Sequence, residues 1–94
     1  MSRVSGALFA LSVSPLLKAQ GPKFTCVVPK KVAPKAVQRN LIKRRCRAAV
    51  RTHIRRVTTP TALIFRARKG ILGAPYADID KDIRTLVDRL VAIG

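Results

Sequence analysis

The sequence predicts a single α+β domain, a small sheet of few strands packed by two helices. Two long stretches repeat their apolar residues at helical spacing. Three shorter ones are rich in β-branched or aromatic residues, and most Gly and Pro residues fall between these stretches. The chain has 94 residues, which leaves room for one domain, taken as residues 1–94, and one core. That core is aliphatic, because the only aromatic residues are Phe9, Phe24, Phe65 and Tyr76.

Residues 7–13 (ALFALSV) alternate loosely and run into Ser14-Pro15, a strand closed by proline. The N-terminus is read as the first strand of the domain rather than a secretory signal or transit peptide. It has one basic residue, a short apolar stretch and no clear cleavage site. Residues 16–22 form a turn around Gly21-Pro22. Residues 23–28 (KFTCVV) make a second strand, expected to lie antiparallel to the first. A long helix begins near Pro34, tolerated in a first turn, and reaches about Arg55. Pro60 breaks the chain. The apolar run at residues 61–65 (TALIF) then suggests a strand buried on both faces. After a basic, glycine-bearing connection, a last helix spans about residues 75–92, its apolar row being Tyr76, Ile79, Ile83, Leu86, Val87 and Leu90.

Charge narrows the function. Twenty Lys and Arg face four acids, a formal net charge of +16, and residues 1–77 hold no acid at all. A packed domain so unbalanced repels itself, and a dense polyanion relieves that repulsion most directly. The acids Asp78, Asp80, Asp82 and Asp88 all lie in the last helix, where the first turns favour negative charge. They are given a structural role. Cys26, Cys46 and the single His53 cannot supply a structural zinc site, so the thiols are read as buried and reduced. An anionic membrane is a poorer partner, because the basic helix carries only small aliphatics opposite its charges and no apolar run is long enough to span.

On a helical wheel Val37, Leu41, Ile42, Cys46, Ala48 and Ala49 group on one half of the long helix. Arg39, Asn40, Lys43, Arg44, Arg47 and Arg51 group on the other, with Arg45 out of place in the apolar arc. Solvated helix faces usually mix signs at i and i+4. Like charges stacked here at 39, 43, 47 and 51 point to a negatively charged partner.

Lys30-Lys31, then Ala36-x-x-Arg39-Asn40-x-Ile42-Lys43-Arg44-x-x-Arg47, resembles the "RNR" signature of the bacterial ribonuclease P protein component. The strand before the lysine pair, and Ala67-Arg68-Lys69-Gly70 after the next strand, agree with that family. Leu41 replaces the usual arginine and is expected on the core side. Pro29 replaces the usual Ser, and the family's opening helix has no counterpart before the first strand.

The resemblance implies a ribosomal-protein-S5-domain-2-like fold with a left-handed βαβ crossover. It also implies the accessory protein subunit of a cytoplasmic endoribonuclease that matures tRNA 5′ ends. The catalytic centre would lie in the RNA subunit, whose Mg²⁺ ions drive hydrolysis, and this chain would hold no catalytic residue. Lys30, Lys31, Arg39, Asn40, Lys43, Arg44, Arg47, Arg51 and Arg68 would contact the catalytic RNA, and precursor tRNA would be the second partner. The sheet would carry the 5′ leader, with Phe9 or Phe24 as stacking groups, although both also fit the core.

The alternative is a small ribosomal or other general structural RNA-binding protein with no nuclease role. A DNA-binding helix-turn-helix is disfavoured, because a strand occupies the place of its first helix. A self-sufficient nuclease is disfavoured as well, since the acids are confined to one helix and His53 stands alone.

Overall fold

The computed structural model describes residues 2–16 and 21–93, so most of the turn expected at residues 16–22 lies outside the described residues. The elements are β1 (Ser2–Ser5), β2 (Phe9–Pro15), β3 (Lys23–Val27), α1 (Ala36–His53), a 3-10 turn at Ile54–Arg56, β4 (Thr61–Ala67) and α2 (Tyr76–Ile93). The four strands form one sheet in the order β1-β2-β4-β3. β1 pairs with β2 and β2 with β4 in antiparallel fashion, whereas β3 joins β4 in parallel.

One expectation needs correction here, and one is refined. β1 precedes the strand taken as the first, and makes a hairpin with it. β3 does run against β2, but it does not pair with it. β4 lies between them, and α1 is the crossover of a β3-α1-β4 unit, as parallel neighbours require.

Strand alternation then sorts the side chains. Phe9 and Leu11 of β2, Cys26 of β3, and Leu63, Phe65 and Ala67 of β4 are buried on one face. Against them pack Ile42, Cys46, Ala49 and Val50 of α1 with Ile79, Ile83, Leu86 and Val87 of α2. Both helices thus cover the same side of the sheet. β4 is therefore not buried twice. Ile64 and Arg66 point the other way and are exposed. Among the described residues the opposite face, lined by Arg3, Ser5, Ala10, Ser12, Ile64 and Arg66, has no helix over it.

The β1–β2 turn is held from α2. Asp82 accepts the backbone N–H groups of Ala7, Leu8 and Phe9 at 2.9, 3.0 and 3.0 Å. Arg89 donates to the Ser5 carbonyl and Arg68 to that of Gly6. A Cβ on Gly6 would stand 2.7 Å from both Asp82 carboxylate oxygens, so only glycine admits this close approach. Asp82→Ala should lower stability by about 2 kcal/mol in urea unfolding, since it strands three donors at a part-buried turn. Gly6→Ala should also destabilise the wild type. In the Asp82→Ala background it should cost almost nothing, because the clash has gone.

Candidate nucleic-acid interface

α1 starts without an acid in its first turn. Gln38 takes its place, its side-chain oxygen accepting the Lys35 N–H at 3.2 Å. The buried residues Ile42, Cys46, Ala49 and Val50 set the phase of the helix. With 100° per residue, the direction opposite them runs through Arg44, flanked by Val37, Asn40, Ala48 and Arg51. All five are exposed, Val37 by 79%.

The observed phase differs from the expected one. Val37 and Ala48 belong to the outer face. Leu41 is half-buried and lies outside the core cluster, so it does not face the core as expected. Arg45 is half-buried on the flank beside α2 and reaches the Ala74 carbonyl at 3.4 Å, which explains an arginine within the apolar arc.

Arg44, Arg47 and Arg51 are exposed, Lys43 is half-buried, and none of the four has a side-chain hydrogen bond among the described residues. Asn40 is exposed between them. Lys30 and Lys31 stand exposed on the turn after β3, where the Val32 and Ala33 N–H groups both return to the Pro29 carbonyl.

Two expected contacts are already engaged within the chain. Arg39 is half-buried, and its Nη1 donates to the carbonyls of Ala33 at 2.9 Å and Pro34 at 2.8 Å. Arg68 is exposed but bonds the Gly6 carbonyl at 2.6 Å. The leader-stacking assignment is corrected. Phe9 is wholly buried, and Phe24, paired with Leu63, shares the core face and packs on the core. Neither ring lies on the open face of the sheet.

The acids are where the structural reading put them, although their partners were not foreseen. Asp80 Oδ1 is 2.9 Å from His53 Nε2, and Asp88 pairs with Arg56. His53 therefore joins the end of α1 to α2. Under the cationic flank, Cys26 and Cys46 are buried free thiols. A hydrogen bond from Cys46 holds the Cys26 thiol below its ordinary pKa, with Arg47 and Lys43 adding to the effect. The same bond, together with burial, pushes Cys46 well above it. Among the described residues, no group of three or more His, Cys, Asp or Glu side chains gathers to hold a metal, and no helix is long and apolar enough to cross a membrane.

The fold and this surface define a class of protein, a small α+β domain with an exposed cationic helix face free of acids. The family is equally plain. Residues 1–91 match the family model described as Ribonuclease P, and the chain belongs to that family. Membership implies a role in a ribonuclease, in tRNA processing.

Solved structures share the fold. The RNase P protein of Staphylococcus aureus superposes with a TM-score of 0.83 at 20% identity, over 95% of this chain and 80% of that one. A mutant of the S. aureus protein with defective mRNA degradation activity gives 0.84 at 20% identity, over 95% and 74%. The RNase P protein of Thermotoga maritima gives 0.81 at 17% identity, over 94% and 82%. No curated protein matches the chain.

Because Leu41 lies outside the core, Leu41→Arg should change thermal stability by less than about 0.5 kcal/mol. It should also steepen the salt dependence of RNA binding by roughly 0.7–0.9 in log–log slope, the increment of one added phosphate contact. Salt-titrated filter binding measures this. A core position would instead show clear destabilisation.

Proposed function

We propose that this chain is the protein subunit of ribonuclease P, binding the catalytic RNA through the outer face of α1 and assisting removal of the 5′ leader from precursor tRNA. The observation that carries the reading is the cationic row Lys43, Arg44, Arg47 and Arg51, without intramolecular partners among the described residues, in a chain of the Ribonuclease P family. Arginine suits the task because its planar fork grips phosphate oxygens in pairs. Lys30 and Lys31 extend the row at the N-terminal end of the helix, and Asn40 adds a hydrogen-bonding group within it.

In this reading the chemistry belongs to the RNA. Mg²⁺ bound by that RNA would supply the Lewis-acid chemistry of hydrolysis, and no residue of this chain is assigned to hold it. This chain's residues bind and orient, and their fixed positive charge replaces part of the diffuse Mg²⁺ needed to bring two RNAs together.

The open face of the sheet is the proposed path of the leader. Arg3 and Arg66 offer phosphate contacts beside the small residues Ala10 and Ser12, which leave room for a single strand. With Phe9 and Phe24 on the core side, this contact is electrostatic and largely indifferent to base identity. The cytoplasm is the compartment such a role implies.

The test is precursor tRNA cleavage by the cognate ribonuclease P RNA at low Mg²⁺, with and without the protein. Wild type should restore cleavage, and Arg44→Ala/Arg47→Ala should lose at least about tenfold in affinity for the RNA at moderate salt. Raising Mg²⁺ should recover part of the variant's activity, because the diffuse ions take over its role. Tight, salt-sensitive RNA binding with no rescue of cleavage would favour a ribosomal or general structural RNA-binding role instead.

A further inference from the structure

Arg39 sits one turn into α1, at the end of the helix where the dipole disfavours a cation, and that end carries no acid to offset it. The carbonyls of Ala33 and Pro34 provide the offset. Both accept from the same guanidinium nitrogen, at 2.9 and 2.8 Å. A charge-assisted bond to each carbonyl is stronger than a neutral one, so the arginine is held where it is.

These carbonyls close the loop that carries the lysine pair. Val28 leads into it and is buried, Ala33 ends it and is wholly buried, and Val32 packs against the core. Between these anchors the Val32 and Ala33 N–H groups fold back onto the Pro29 carbonyl, leaving Lys30 and Lys31 exposed at the tip. The Arg39 side chain thus ties the C-terminal limb of the lysine loop to the helix that bears Arg44, Arg47 and Arg51.

We infer that Arg39 is a positioning residue, a strut that fixes the Lys30–Lys31 loop in register with the cationic face of α1 so that both meet one RNA surface together. The inference rests on the RNA-binding reading above and refines it. Arg39 acts chiefly through the lysine pair rather than as another phosphate contact. Two cationic groups held in fixed relation bind a polyanion more tightly than the same charges on a loose loop, because the cost of ordering the loop has been met in folding. The remaining N–H groups of Arg39 are not needed for this role.

A double-mutant cycle on binding to the cognate ribonuclease P RNA separates the two roles. Arg39→Met keeps the length of the stem and removes the donors. It should weaken binding about tenfold in the wild type, but less than about twofold in a Lys30→Ala/Lys31→Ala background, as expected for residues acting through one another. Equal losses in both backgrounds would overturn the inference and make Arg39 an independent contact. Circular dichroism checks each variant. If Arg39→Met loses helix, Arg39→Lys carries the same comparison, since its ammonium keeps the charge while the forked group is lost. Failure of the wild type to bind the RNA is a different result, and it would sink the RNA-binding reading itself.

Discussion

One carboxylate holds the molecule's two ends together. Three consecutive N–H groups of the β1–β2 turn converge on Asp82, more than seventy residues away in sequence. Turn donors that no strand partner can satisfy must find an acceptor or remain in water. Here the acceptor comes from the middle of α2, and it sets how that helix lies across the sheet. Ile79, Ile83, Leu86 and Val87 on the same helix then cover the face bearing Phe9 and Leu11. α1 packs beside α2 and closes the rest of the core. The arrangement leaves one face of the sheet uncovered and turns the outer face of α1 away from everything else in the described chain.

That the grip comes from an acid matters in a protein with so few. Of the four, Asp80 joins His53, Asp82 takes the turn and Asp88 pairs with Arg56. All three sit on α2 and draw it against the hairpin or against the end of α1. None reaches the middle of α1. Negative charge is thus spent on holding elements together, and the positive face is left without internal neutralisation. Such a protein carries repulsion in its folded state, and counter-ions or a polyanion lower it.

Much of this was legible in the sequence, and the failures have local causes. Helix positions followed from apolar spacing and proline, and the acid-free basic helix from composition. β1 was missed because Val4, opposite Leu11, is the only apolar residue of its four, which is too little for a pattern. The run TALIF read as buried on both faces. Alternation cannot be seen across residues 62–65, where every residue is apolar, and only the placement of both helices on one side exposes Ile64. Pairing of β3 with β4 rather than β2 depends on where the crossover lays the chain, which no local signal records. On α1, small aliphatics proved a poor guide to the inner face. Val37 and Ala48 are cheap to expose, and the true phase is carried by Ile42, Cys46, Ala49 and Val50. Tyr76 was misread in the same way, opening an apolar row on paper and standing 41% exposed in the fold.

The site shows the same division between residue type and placement. Sequence identifies the cations but not which of them are already bound. A chain with four acids cannot pair most of its arginines with carboxylates, and beyond the Arg56–Asp88 pair the structure uses main-chain carbonyls. Arg39 bonds Ala33 and Pro34, Arg45 bonds Ala74, Arg68 bonds Gly6, and Arg89 bonds Ser5. Each of these bonds ties a loop, a turn or, at Ser5, a strand end to another element, so these arginines serve the fold first. Arg44, Arg47 and Arg51 have no such acceptor among the described residues, because the helix's own carbonyls are taken by its ladder. For a phosphate approaching the surface, the two groups differ in energy. Contact with a carbonyl-bound arginine must share or break an internal bond, whereas contact with the outer row of α1 displaces only water and counter-ions. The internal hydrogen bonds therefore withdraw several arginines from the set that can meet a phosphate at no internal cost, and on the proposed reading the outer face of α1 is where Arg44, Arg47 and Arg51 of the remaining set stand together.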